Sequence, residues 1–190
     1  KETTTMESRR RPNILITGTP GVGKTALASM IADELKMKHL NVGELVKEHS
    51  CYDGRDEKRD SDFLDEDKLL DVMEALLEES KNIKEGVVVD YHSSELFPER
   101  WFDLVLVLRA NTEVLFDRLT QRGYSETKRA ENIECEIMQV LLDEARESYE
   151  KEIVHEVWSN TMDDMKNNLK RVEQWVKQWQ EDNDADDEKD

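Results

Sequence analysis

Residues 18 to 25 read Gly18-Thr19-Pro20-Gly21-Val22-Gly23-Lys24-Thr25 and fill every fixed position of the pattern G-x-x-x-x-G-K-[ST]. Glycines at these places let successive backbone N–H groups turn inward around a polyphosphate. The helix expected to follow adds the positive end of its dipole. The flanks agree with that use. Asn13-Ile14-Leu15-Ile16-Thr17 is a short apolar run that reads as a buried strand, and behind the loop Leu27, Met30, Ile31 and Leu35 share one helical face. Gly21, Val22, Gly23, Lys24, Thr25 and Ala26 are therefore the expected cradle of a nucleoside triphosphate, with Lys24 on the β- and γ-phosphates and Thr25 on Mg²⁺. A chance glycine turn is the bland alternative, and the order strand, loop, helix argues against it.

The remaining composition narrows the class. With 190 residues the chain suits one globular domain. Its hydrophobic fraction is 37% and its mean hydropathy −0.80, and no apolar run approaches the roughly 20 residues of a membrane span. The polar start from Lys1 to Arg11 has no apolar signal-peptide core, so an intracellular protein is expected. Cys51 and Cys135 lie far apart and read as reduced thiols. A net charge of −18 disfavours broad binding to nucleic acid and is compatible with a basic protein partner, although solubility alone would also explain it.

Strand-like runs alternate with amphipathic stretches, the pattern of a parallel sheet wrapped by helices. The strands are expected at Asn13–Thr17, Gly86–Asp90 and Leu104–Leu108, with weaker candidates at His39–Val42 and Ile153–Trp158. One helix should span about Asp65 to Ser80, and a second should start after Asn111 and stop at Gly123. Residues 130–150 read as a single helix with Ile133, Ile137, Val140 and Leu141 inside. From about Met162 to Gln180 a last helix spaces Met165, Leu169, Val172, Val176 and Trp179 like a coiled-coil seam. It covers too few heptads for a zipper, so packing on its own sheet and a monomeric chain are expected. The polar segment 47–62 reads as disordered or as a mobile binding element, and 181–190 as an acidic disordered tail.

Several blocks in this order resemble the adenylate kinase isoenzyme 6 family, also called coilin-interacting nuclear ATPases. They are Pro12 to Thr25, Asn41-Val42-Gly43, Tyr52-Asp53-Gly54, Leu64 to Asp67, Val89-Asp90-Tyr91-His92, Phe97 to Trp101, Arg122-Gly123-Tyr124 and Asn132 to Ile137. The resemblance spans about Pro12 to Gln180, leaving 1–11 as a flexible segment. It implies a three-layer α/β/α P-loop nucleoside monophosphate kinase fold with about five parallel strands. The monophosphate-binding segment would be about 41–64, and the short lid about 121–131 would carry Arg122, Lys128 and Arg129. It further implies transfer of phosphate from ATP to AMP or related monophosphates, accompanying ATP hydrolysis and a role in small ribosomal subunit maturation. A basic ribosomal protein as partner and a nuclear location with some cytoplasmic presence come with it.

The resemblance also implies roles. Asp90 ends an apolar strand, where a carboxylate can orient Mg²⁺ or its water; capping a turn is the other use for it. His92 is associated with hydrolysis and could equally be a solvated loop residue. Arg122 would follow the charge of the moving phosphoryl group, or merely sit well at a helix C-terminus. Asn41, Val42, Gly43, Lys47, Tyr52, Asp53 and Arg100 fall in the acceptor region, with a surface ion pair the alternative for Arg100. Asn160 falls beside the expected adenine position or caps the last helix. Lys47 stands where an arginine is expected, keeping the charge and losing the bidentate grip on a phosphate. An ATPase switch that releases a ribosomal protein, with incidental kinase activity, and a nucleotide-dependent binding module with negligible turnover remain open beside the transferase.

Overall fold

A computed structural model of the protein describes residues 11–56 and 61–187. The expected tail beyond 187, the segment before 11 and residues 57–60 of the polar insertion lie outside them. The amino-terminal half contains β1 (Asn13–Thr17), α1 (Lys24–Leu35), β2 (Lys38–Asn41), α2 (Val42–Glu48), β3 (Tyr52–Asp56), β4 (Ser61–Leu64) and α3 (Glu66–Asn82). After β5 (Val87–Asp90) and a 3-10 turn at Glu99–Trp101 come β6 (Leu104–Arg109), α4 (Thr112–Gln121), α5 (Glu126–Ile137) and α6 (Val140–Ser148). The chain ends in β7 (Val154–Trp158) and α7 (Met162–Asp187).

Strands without polar alternation must be covered on both faces, and β5, β1 and β6 occupy the centre of a five-stranded parallel sheet ordered β2-β5-β1-β6-β7. The period of two divides their side chains between two cores. Leu15, Val87, Val89, Val105 and Val107 pack under Leu69, Met73 and Leu77 of α3 and Leu142 and Ala145 of α6. Ile14, Ile16, Val88, Leu106 and Leu108 meet Leu27 and Ile31 of α1, Leu115 and Leu119 of α4, and Val172 and Val176 of α7. The three-layer α/β/α architecture is thus as expected, and α7 packs on its own sheet. Register places Ile16 of β1 opposite Asp90 of β5 and Leu106 of β6, so β5 and β1 end nearly level at the carboxyl edge while β6 runs on to Arg109.

Four local expectations need correction. The stretch 130–150 is two helices, broken at Met138–Gln139, where Gln139 takes a left-handed φ of 58°. The break has a topological cause: Ile133 packs with the α1–α4–α7 core and Leu142 with the α3–α6 core, so the chain must cross the carboxyl edge between them. Ile137 and Val140, expected inside, are exposed. Second, α2 and an antiparallel β3–β4 hairpin fill the described part of the polar insertion. Val42, Leu45, Val46 and Cys51 are buried and anchor it. Third, α7 continues as far as Asp187, so residues 181–187 of the expected disordered tail are helical. Lys177–Glu181 at 3.9 Å and Gln178–Asp182 at 2.8 Å link successive turns there. Last, Asn111 occupies the N-cap position of α4 without a side-chain capping bond, and its N–H donates to Asn160 Oδ1 at 2.7 Å.

Candidate active site

The phosphate loop joins β1 to α1 under backbone conditions that only glycine meets comfortably. At Gly18 φ is 137°, and a Cβ would stand 2.5 Å from the Leu108 carbonyl oxygen. At Gly23 φ is 101°, and a Cβ would meet Met165 of α7 at 2.5 Å. Lys24 opens α1 and turns back, its Nζ donating to the Gly18 and Thr19 carbonyls at 2.7 and 3.1 Å. Burial pushes its pKa down to about 8. Asp90 and Glu136 pull it upward, and Arg122 adds to the lowering. An ammonium held this reluctantly gains from a phosphate oxygen that brings negative charge with it.

Asp90 terminates β5 almost wholly buried, with Thr25 Oγ1 donating to Oδ1 at 3.1 Å. Asn41 Nδ2 lies 3.3 Å from both carboxylate oxygens, and His39 Nε2 is 2.5 Å from Oδ2. A hydroxyl beside a carboxylate is the hard-oxygen donor set that suits Mg²⁺. Among the described residues no group of three or more His, Cys, Asp or Glu side chains could hold an ion alone, so phosphate oxygens would have to complete its shell. His39 was not legible as a site residue, because β2 brings it to Asp90 across 51 positions of sequence.

The acceptor candidates are only partly assembled. Asn41 does double duty, since its Oδ1 also caps α2 by accepting from the Glu44 N–H at 2.9 Å. Val42 and Gly43 form the first turn of α2, with Val42 in the core, while Lys47 is exposed in its last turn. Tyr52 and Asp53 are exposed on β3. Arg100 is not brought to this group. Its turn lies at the opposite edge of the sheet, where the neighbouring Trp101 carbonyl accepts from Asn13 at the start of β1. There Arg100 makes a surface pair with Glu74 at 3.4 Å.

On the lid side Arg122 is the exposed C-cap of α4, close enough for its charge to act on Lys24 and Arg118. Lys128 lies over the Tyr124 ring at 4.5 Å and Arg129 over Phe116 at 4.6 Å. Arg118 stands one turn before Arg122, an i, i+4 spacing that the sequence shows. It reaches the Asn160 carbonyl at 3.1 Å and, more loosely, the Gly21 and Val22 carbonyls at 3.5 and 3.4 Å. Arg118 thereby ties α4 to the phosphate loop and to the segment that carries Asn160. The capping of α7 falls to Thr161, which exchanges bonds with Asp164.

His92 follows Asp90 by two residues and is an exposed residue close enough to Lys24 for that charge to act on its ring. Its pKa is lowered, first by the atoms packed around it and then by Lys24, against an opposing effect of Glu144. Ala26 is exposed just beyond Thr25. A further buried group was invisible in the sequence. Glu136 of α5 accepts from Arg109 Nε at 2.6 Å, Thr19 Oγ1 at 2.5 Å and the Ala110 N–H at 3.2 Å. Arg109 also reaches Glu156 at 2.9 Å and lies 5.5 Å from the Trp158 ring centroid.

A sequence pattern described as an AAA domain matches residues 14–139. An adenylate kinase isoenzyme 6 homolog from Dictyostelium discoideum is 50% identical over 175 residues, covering 92% of this chain and 97% of the relative. A homolog of the same name from Caenorhabditis elegans is 51% identical, covering 88% and 91%. The Saccharomyces cerevisiae homolog FAP7 is 45% identical, covering 93% and 88%. The chain belongs to the adenylate kinase isoenzyme 6 family. Its fold is that of P-loop kinases more broadly. The crystal structure of a sugar kinase from Janibacter superposes with a TM-score of 0.55 at 14% identity, over 88% of this chain and 95% of that one. At that identity only the fold is shared. Membership of the isoenzyme 6 family makes the protein a nucleotide kinase or ATPase, which agrees with the loop, the lysine and the strand-end carboxylate described above.

Proposed function

We propose that the protein transfers the γ-phosphoryl group of ATP to a nucleoside monophosphate, with AMP preferred, and hydrolyses some ATP at the same site. The observation that carries this reading is the convergence of Lys24, Thr25 and Asp90 at one edge of the sheet. In the sheet, β2, which leads into α2, lies on one side of β5 and β1, and β6, which leads into α4 and the lid residues, lies on the other. The names of the relatives point the same way.

On this reading Lys24 leaves the Gly18 and Thr19 carbonyls for the β- and γ-phosphate oxygens. An oxygen of the acceptor phosphate bonds to the γ-phosphorus while the bond to the bridging oxygen breaks, and its electron pair departs with ADP. Arg122 follows the charge spread over the moving group. The work is positioning and charge neutralisation, with no covalent intermediate on the protein. Mg²⁺, when bound, supplies further neutralisation of the phosphate oxygens. Thr25 and Asp90 are the residues that would hold it, directly or through water. His92 would position water when no acceptor is present, and the lid and segment 41–64 would limit that loss by closing.

The family resemblance extends the proposal to small ribosomal subunit maturation, a nuclear location and a basic ribosomal protein as partner. A net charge of −18 supports a basic partner by electrostatic steering. The second reading, an ATPase switch with incidental kinase activity, is favoured by His92 standing close enough to Lys24 for that charge to act on its ring. A coupled assay with ATP, AMP and Mg²⁺ separates the two. ADP formed in excess over the ATP lost is expected. Free phosphate matching the ATP lost, with AMP untouched, would replace the transferase with the switch. Tight ATP binding with neither product would leave a binding module.

A further inference from the structure

Glu144 of α6 stands outside every role assigned above, yet one of its oxygens gathers four donors. Oε1 accepts from the Ser93 hydroxyl at 3.2 Å, the Ser94 N–H at 2.5 Å, the Ser94 hydroxyl at 3.1 Å and the Glu95 N–H at 3.1 Å. Consecutive N–H groups aimed at one carboxylate oxygen define the path of the backbone that carries them, and bonds to an ionised acceptor are the stronger kind. Tyr149, just past the end of α6, completes the grip. Its buried hydroxyl donates to the Ser94 carbonyl at 2.8 Å and reaches the Phe97 carbonyl at 3.4 Å.

The residue in front of this gripped segment is His92. Its amino-terminal side is fixed just as firmly, for the Tyr91 N–H donates to the Ile16 carbonyl at 3.1 Å and the Thr17 hydroxyl to the His92 carbonyl at 3.0 Å. The His92 imidazole is thus carried on a backbone held by β1 on one side and α6 on the other. The second anchor is joined to the lid, since α6 continues α5 through the left-handed Gln139. Glu136 of α5 in turn holds Thr19 of the phosphate loop.

We propose that Glu144 is the positioning residue for His92: by gripping Ser93, Ser94 and Glu95 it fixes where the imidazole can order water, and so sets the share of ATP lost to hydrolysis. The inference rests on the reading that His92 serves hydrolysis. In that step the water oxygen bonds to the γ-phosphorus. The bond to the bridging oxygen breaks with its electron pair on ADP; one proton of the water stays on the inorganic phosphate and the other passes to solvent. His92 orients the water, and Glu144 never touches it.

The test compares ATP hydrolysis without acceptor and transfer to AMP for the full chain and its variants. Glu144→Ala should lower hydrolysis by roughly tenfold or more, as loss of a supporting residue does. The KM for ATP should stay within about twofold, so that hydrolysis falls relative to transfer. Glu144→Gln keeps an acceptor oxygen and should restore most of the loss, and Ser94→Ala should give a smaller change in the same direction. In a His92→Ala background neither Glu144→Ala nor Ser94→Ala should lower hydrolysis further. Equal loss of transfer and hydrolysis, or effects of Glu144→Ala and His92→Ala that multiply, would overturn the inference. Should Glu144→Ala fail to give a cooperative melt, the Ser94→Ala comparison in the two backgrounds decides alone. If His92→Ala leaves hydrolysis intact, the reading of His92 fails and takes this inference with it. If His92→Ala lowers hydrolysis and neither Glu144→Ala nor Ser94→Ala does, only the grip is refuted.

Discussion

Asp90 and Glu136 flank the phosphate loop at equal depth, each 4% exposed, and their charges are met in opposite ways. Glu136 faces the guanidinium of Arg109, a cation supplied by the chain itself. Asp90 faces a hydroxyl, an amide and an imidazole, and among the described residues no guanidinium or ammonium group hydrogen-bonds it. Burying a carboxylate is costly unless it is paired, so the two sites offset that cost differently. One is neutralised when the chain folds. The other has no guanidinium or ammonium bonded to it among the described residues, and a cation arriving with nucleotide phosphates can take that place. The difference separates a carboxylate that holds the fold from one prepared for chemistry.

The comparison breaks most severely at Lys24, whose charge is felt by both carboxylates. Lys24→Ala should lower transfer and hydrolysis by more than about a thousandfold, since the β- and γ-phosphate charge loses its main cation. Product formation within a factor of about two of wild type would remove the loop from the mechanism.

Next comes the structural half of the pair. Arg109→Met leaves Glu136 buried with only Thr19 and a backbone N–H, at a cost of about 3–5 kcal/mol. Thermal unfolding should show this as a drop on the order of 10 °C, and Arg109→Met with Glu136→Leu should recover part of it. Asp90→Asn should stay within about 1 kcal/mol of wild type in the same measurement, because the amide keeps an oxygen to accept from Thr25 and Asn41.

In kinetics the ranking reverses. Asp90→Asn should reduce saturated turnover about a hundredfold while weakening ATP binding far less, because metal and phosphate geometry matter most as charge moves. A change in ATP affinity alone would make Asp90 as structural as Glu136.

The smallest effect is a pH dependence. Lys24 has a folded-state pKa of about 8 against an ordinary 10.5, so between those values the unfolded chain binds a proton that the folded chain does not. Its contribution therefore makes stability rise with pH from about 8 toward 10, where tyrosines begin to titrate. Melts of wild type and Lys24→Met in the absence of nucleotide should converge as pH rises through that window. A constant difference would mean that the ammonium is not desolvated.

Legibility followed sequence distance. The phosphate loop lay in eight consecutive residues, and Asp90 stood out as the polar end of an apolar strand, so both could be placed before any coordinates. Arg118 is readable from its i, i+4 spacing to Arg122 on one helix. Thr19 and Glu136 are 117 positions apart, and Ser94 and Glu144 are 50 apart, so no local pattern announces either contact. Arg100 shows the converse failure. A block that looked like part of the acceptor site is carried by its turn to the far edge of the sheet.

The sequence by itself determined the five strands of the parallel sheet and the phosphate loop, because burial period, glycine placement and strand-end polarity are properties of neighbouring residues. Tertiary structure alone decided that the stretch 130–150 would break and cross the sheet edge. A single straight helix could not place Ile133 in one core and Leu142 in the other. That crossing brings Glu136 to Thr19 and Glu144 to Ser94. It also assigns charged side chains that look alike on paper to opposite duties, since a carboxylate's role depends on the cation it meets after folding.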